Sequence, residues 1–378
     1  MSSIQDIVTK TESKIAKDAK ITLIEFVDKI NLQLEAYFDK EISNVFGVSN
    51  KQRKLSKHIL EHIKEHNMRP CKRLRGSFVY YGYKLLGGKN TKEILKTSMC
   101  AELIQTALLI HDDFMDQDDV RRYKPTTHKY YQSIHNNNYK YGDPIHYGDS
   151  MAVDAGDVAL MLGFEILSNS KFDSSLKTKA MSSYLRGIGN TALGQAYDIT
   201  LEARGSMDEQ DVLDLHHAKT AIYTYINPLQ TGAILAGANE DDLSIINEYA
   251  TFGGIAFQIQ DDVLGLFGDS NKTGKSAHAD LKEGKVTLLT IYSFNNGTAK
   301  QIKMLKKIWG NKDITESDAE IARKIIIDTG ALEHSKQISI KYAKKAQRVI
   351  PKMKKKGWNY QAINYLDGIA QYMIERDL

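Results

Sequence analysis

The chain has 378 residues, 42% of them hydrophobic and 26% charged, which excludes a largely disordered polypeptide and supplies enough apolar material for a sizeable core. Its 51 basic and 47 acidic residues leave a net charge of +4, too balanced to imply a nucleic-acid or membrane surface, so any basic function is local. Cys71 and Cys100 are the only cysteines, too few for a disulfide framework or a thiolate metal site, and they suit a reducing cytosol.

Taken in chain order, residues 1–20 form a polar extension that lacks the apolar run of a signal peptide. No later stretch approaches the roughly 20 apolar residues of a membrane span, so a cytoplasmic protein is expected. Apolar residues at spacings of three and four predict helices over 21–45, 92–115, 147–167, 174–202, 209–237, 243–267 and 359–375, and no convincing strand run appears. Pro228 falls inside the 209–237 pattern and cannot donate to the carbonyl of Thr224, which predicts a kink or break there. Residues 124–144 and 268–284 read as loops that could serve as lids, each following a helix that ends in clustered aspartates. The lysines at 352–356 read as a solvated face. With no repeat or linker, residues 1–378 are expected to form one all-α domain.

The first acidic cluster contains Asp112, Asp113, Asp116, Asp118 and Asp119, followed by Arg121 and Arg122. On a helix, positions 105, 108, 112, 116 and 119 share one face, so three carboxylates continue an otherwise mostly apolar stripe. Like charges four residues apart repel, and oxygen ligands without matching His or Cys point to Mg²⁺ rather than zinc. Alone, such a row is more often a solvated helix end. A second pair, Asp261-Asp262, again ends an apolar helix and precedes Gly274-Lys275, Asp280 and Lys285. Lys72 and Arg75, three apart, would face the same way on a helix. Metal-holding carboxylates together with Arg and Lys donors are what a diphosphate substrate demands.

These residues resemble the trans-isoprenyl diphosphate synthase family, the polyprenyl synthetases. The resemblance covers Lys72-Arg73-Leu74-Arg75, Asp112-Asp113-x-x-Asp116 with Arg121-Arg122, Gly194-Gln195, Lys219-Thr220, Phe257-Gln258 leading into Asp261-Asp262, then Gly274-Lys275 and Asp280 with Lys285, in the family's order and reaching to 365–376. It implies a single large helical bundle around a deep central cavity, commonly a homodimer, with the acidic clusters facing across the cavity mouth. It also implies that Asp112, Asp116 and Asp261 bind three Mg²⁺ ions supported by Asp113 and Asp262, while Arg121, Lys219 and Lys275 hold the allylic diphosphate. Lys72, Arg75, Gln105 and Arg122 match the isopentenyl diphosphate site; Thr220, Gln195 and Gln258 match positions near the developing cation; and Lys285 completes the basic set.

Three positions depart from the pattern: Gly265 replaces the third aspartate of the second cluster, Tyr123 stands where a glycine commonly follows the arginines, and Pro70-Cys71 replaces two glycines. The implied reaction is Mg-dependent condensation of isopentenyl diphosphate with an allylic prenyl diphosphate. In the family a bulky aromatic five residues before the first aspartate stops growth early, whereas Ala107 and Leu108 stand here. Geranylgeranyl diphosphate is therefore the expected product, with chains of 25 carbons or more as the near rival. Other rivals are a non-catalytic subunit of a heteromeric synthase, which retention of both aspartate pairs opposes, and a terpene cyclase or head-to-head synthase, which needs no site such as Lys72, Arg75 and Gln105.

Overall fold

The computed structural model describes residues 13–204, 208–268 and 279–375. Among them the structure is helical apart from one two-stranded ribbon. The helices are α1 (Lys14–Ser43), α2 (Asn50–Met68), α3 (Leu74–Leu85), α4 (Thr91–Thr97), α5 (Met99–Met115), α6 (Thr127–Asn138), α7 (Pro144–Ser168), α8 (Ser174–Arg204), α9 (Glu209–Leu215), a π-helix (His216–Ile226), α10 (Asn227–Leu235) and α11 (Glu240–Phe267). Seven shorter segments follow, from α12 (Ala279–Glu283) through α13 (Leu288–Asn296), α14 (Ala299–Ile308), α15 (Glu316–Asp328), α16 (Ala331–Gln347) and α17 (Ile350–Lys355) to α18 (Tyr360–Glu375).

Local chemistry sets many of these boundaries. Asp143 caps α7 by accepting from the amides of Ile145 and His146, with Pro144 in the first turn. Reciprocal capping boxes open α9 at Asp208–Asp211 and α15 at Thr315–Asp318. The helix expected over 92–115 is broken at Ser98, which caps both α4 and α5. The loop expected over 124–144 instead contains a short strand, Lys124–Pro125, and α6. Its polar-looking sequence hides Thr127, His128, Tyr131 and His135 on one buried side, and α6 packs on α7, so tertiary burial outweighs weak local propensity.

The chain separates into two compact units. One comprises residues 23–185 and 228–239; its core joins Phe26, Ile30, Leu34 and Phe38 of α1 to Leu60 and Ile63 of α2, Leu103 and Ala107 of α5, and Ala155, Ala159 and Leu162 of α7. The other comprises residues up to 22, 186–227 and 240 onward. In it α11 packs against the π-helix and α16, and one cluster gathers Leu201, Val212, Leu215, Ala221, Ile255, Ile259 and Val286. Near Pro228, where a kink or break is expected, the helical path is continuous: the π-helix runs to Ile226 and passes directly into α10, with Pro228 its second residue.

Candidate active site

α5 carries the first cluster and ends at Met115, with Asp116 as its C-cap. Asp112 and Asp116 are half-buried on successive turns, while Asp113, 100° around the helix, is fully buried. The row predicted to extend to Asp119 stops at Asp116: Gln117 takes a left-handed conformation, and Asp119 lies beyond the helix, exposed and paired with Lys129 at 3.1 Å.

Arg121 gathers the acidic groups. Its Nε donates to Asp113 Oδ1 at 2.5 Å, and its Nη2 lies 3.4 Å from Asp112 and 3.3 Å from Asp118. Burial alone would lower the Arg121 pKa, but the charges of Asp113, Asp112 and Asp118 outweigh it and hold the value above normal. Arg122 is driven the other way, by burial first and by Arg73 and Arg121 as like charges. The two arginines sit on a hairpin, β1 (Val120–Arg121) against β2 (Lys124–Pro125), with Arg121 opposite Lys124. Its turn residues Arg122 and Tyr123 both have positive φ, 53° and 65°, as a two-residue primed turn requires. A glycine adopts that geometry without penalty, which gives the Tyr123 departure its physical meaning.

What secures the strained turn is Arg69, which the sequence reading passed over. Its guanidinium is buried, donates to the carbonyls of Arg121 at 2.9 Å and Pro125 at 3.0 Å, and forks onto Glu65. Burial would raise the Glu65 pKa, yet the hydrogen bonds from Arg69 and Lys124 bring it down to about 2.

Lys72 and Arg75 do not share a helix as predicted. Lys72 precedes α3 and is exposed, Arg75 is buried inside it, and Arg73 between them is the N-cap in a left-handed conformation. Arg73 is anchored by Asn31, Asn67 and Glu102, and Glu102 also accepts the amide of Gly76 at 2.7 Å. Gln105 lies half-buried on α5. Ala107 is sealed within the core cluster, whereas Leu108 is half-buried. These two adjacent positions, on which the product-length expectation rests, therefore differ in accessibility.

In the other unit, α11 carries Asp261, half-buried, and Asp262, buried. Asp262 uses both oxygens: Oδ1 accepts from Gln258 Nε2 at 2.7 Å and Oδ2 lies 3.0 Å from His216 Nε2. Gln258 Oε1 accepts the hydroxyl of Thr220 at 2.8 Å. Lys219, beside Thr220 on the π-helix, reaches Asp198 of α8 at 2.6 Å, a buried carboxylate that the motif reading also missed. Gln195 is half-buried on α8. Its neighbour Gly194 permits the close approach of the π-helix, because an added Cβ would lie 2.6 Å from the backbone nitrogen of Lys219. Lys285 lies 3.8 Å from Asp280. Gly274 and Lys275 fall outside the described residues, as does most of the expected 268–284 loop.

Asp112 and Asp116 in one unit offer half-buried carboxylates of the oxygen-donor kind that suits Mg²⁺, as Asp261 does in the other, while His111 turns its Nε2 to the carbonyl of Val153 at 3.2 Å. No group of three or more His, Cys, Asp or Glu among the described residues could hold a metal by itself.

Comparison with known proteins finds related sequences and folds. The polyprenyl synthetase family model matches residues 57–326. The chain is 31% identical to the geranylgeranyl diphosphate synthase of Saccharolobus solfataricus, over 91% of this chain and 98% of that protein. It is also 31% identical to the geranylfarnesyl diphosphate synthase of Aeropyrum pernix, over 81% and 90% of the two chains. The structure of a geranylgeranyl pyrophosphate synthase from Corynebacterium glutamicum, complexed with isoprenyl diphosphate and magnesium, superposes with a TM-score of 0.86 at 26% identity, covering 93% of this chain and 99% of that one.

Proposed function

Because the chain belongs to the polyprenyl synthetase family and is a prenyltransferase of the all-α isoprenoid-synthase fold, we propose that it elongates an allylic diphosphate with isopentenyl diphosphate, using Mg²⁺, to give geranylgeranyl diphosphate. The observation that carries this reading is the division of labour within each aspartate pair. One member stays half-buried on an apolar helix, and its neighbour is turned inward and tied to a basic or amide group. In this reading the whole chain is one catalytic domain, working as a homodimer in the cytoplasm.

Asp112, Asp116 and Asp261 would hold the ions, three by analogy with the family. When bound, the ions supply positive charge that stabilises the departing diphosphate. Arg121, Lys219 and Lys275 bind that diphosphate, and Lys72, Arg75, Gln105 and Arg122 bind the isopentenyl substrate. Thr220, Gln195 and Gln258 place oxygen dipoles near the allylic carbon as its C–O bond ionises. The double bond of isopentenyl diphosphate then attacks, and loss of a proton to the released diphosphate restores an allylic product, so no side-chain base is required. Positioning and fixed charge supply most of the catalysis.

The absence of an aromatic residue at Ala107 and Leu108 supports a product beyond farnesyl, and relatives named geranylgeranyl and geranylfarnesyl diphosphate synthases are consistent with this reading. Incubation with isopentenyl diphosphate, Mg²⁺ and each of the C5, C10 and C15 allylic diphosphates should give a C20 product. Failure with every starter would favour a non-catalytic subunit, and equal turnover after chelation of divalent metal would contradict the ligand set.

A further inference from the structure

His216 opens the π-helix and is almost fully buried. Its Nδ1 has no hydrogen-bond partner among the described residues, and its Nε2 faces Asp262 Oδ2 at 3.0 Å. A leucine would fill similar space without burying polar atoms, so the ring's polar return is the contact with Asp262. From that contact a chain of bonds runs in one direction. An ionised carboxylate only accepts, so Gln258 must turn its NH₂ to Asp262. The Gln258 carbonyl oxygen must then face Thr220, whose hydroxyl donates to it. An amide can otherwise flip by 180°; here a buried charge fixes it.

We propose that His216 is a positioning residue, holding Asp262 so that Asp262 acts through the orientation of Gln258 rather than as a direct metal ligand. This rests on the function proposed above, in which Gln258 and Thr220 face the developing cation. Adjacent aspartates on α11 then have separate duties: Asp261 serves the metal, and Asp262 serves the amide.

The test compares His216→Leu, His216→Gln, Asp262→Asn and Asp261→Asn with the unaltered enzyme. Steady-state kinetics are paired with calorimetric titration of Mn²⁺ in the presence of inorganic diphosphate, and circular dichroism melts check folding. Losing the contact that orients Asp262, and through it Gln258, should lower kcat of His216→Leu about tenfold or more. KM for both substrates and Mn²⁺ affinity should stay within about twofold, a margin set by the preserved metal carboxylates. His216→Gln, whose amide can still donate to Asp262, should recover most of kcat. Asp262→Asn should resemble His216→Leu, and Asp261→Asn should weaken Mn²⁺ binding.

Unchanged kcat in His216→Leu would overturn the proposal, as would a folded His216→Gln no more active than His216→Leu. So would Mn²⁺ affinity that falls with kcat in Asp262→Asn, which would make Asp262 a direct ligand. If the unaltered protein condenses no starter, the functional reading fails first and this proposal falls with it, an outcome visible before any variant is made.

Discussion

The carboxylate of Asp280 occupies the space into which a side chain at position 265 would grow: a Cβ added to Gly265 would lie 2.6 Å from Asp280 Oδ2. Gly265 stands one helical turn after Asp261, where the family pattern has its third aspartate. Because the obstructing atom ends a side chain, Gly265→Ala should cost less than about 1 kcal/mol as Asp280 swings aside. Gly265→Asp sets two carboxylates in one place and competes for Lys285, so a lower melting temperature and reduced activity are expected. The double change Gly265→Asp with Asp280→Gly should recover both. A Gly265→Asp protein that melts and turns over like wild type would show that Asp280 has room to leave.

Product length is best probed at Leu108, not Ala107. A phenylalanine at the sealed Ala107 position must be forced into the core of α1, α2 and α7, at a cost of about 1–3 kcal/mol. Leu108→Phe changes a half-buried side chain and should shorten the product while leaving the melting temperature nearly unchanged. Chromatography of dephosphorylated products checks this; an unaltered chain length would place the limit on other helices.

Removing the Arg69 fork should loosen the hairpin that carries the paired arginines. Arg69→Ala leaves the carbonyls of Arg121 and Pro125 without these buried charged donors, a loss of about 2–3 kcal/mol in urea unfolding. KM for the diphosphate substrates should rise as Arg121 and Arg122 lose their frame. Arg69→Lys keeps the charge but not the fork and should recover only part of the loss. An Arg69→Ala variant with wild-type stability would show that Arg69 does not clamp the hairpin.

Acid should destabilise the fold through His62. This ring is buried on α2, stacks on Tyr130 and meets Thr127 at 3.0 Å. Burial first, with unfavourable coupling to His66, Arg69 and His58 only partly offset by Glu65, pulls its pKa down from 6.5 to about 3. The unfolded chain binds the proton between those values and the folded chain does not, so stability is complete above pH 6.5 and falls as pH drops towards 3. Glu65, held down to about 2, loses its contribution as pH falls below the ordinary carboxylate range, reinforcing the trend. His62→Gln should flatten the melting temperature between pH 7 and 5; an equally steep decline would assign acid sensitivity to other buried histidines.

The acidic rows, the paired arginines, Lys219-Thr220 and the helix periodicity are local patterns, and by themselves they determined the all-α class and the diphosphate chemistry to expect. A helix turns 100° per residue, so two adjacent aspartates must point differently. Which one faces inward depends on partners outside the helix: Arg121 on the following hairpin for Asp113, and His216, 46 residues earlier, for Asp262. Arg69 and Asp198 acquired meaning only when folding brought them to the hairpin carbonyls and to Lys219. The polar stretch that became α6 was likewise decided by burial against α7. Composition and spacing name the chemical groups, but desolvation and hydrogen-bond pairing are properties of neighbours in space, and only the tertiary structure supplies those.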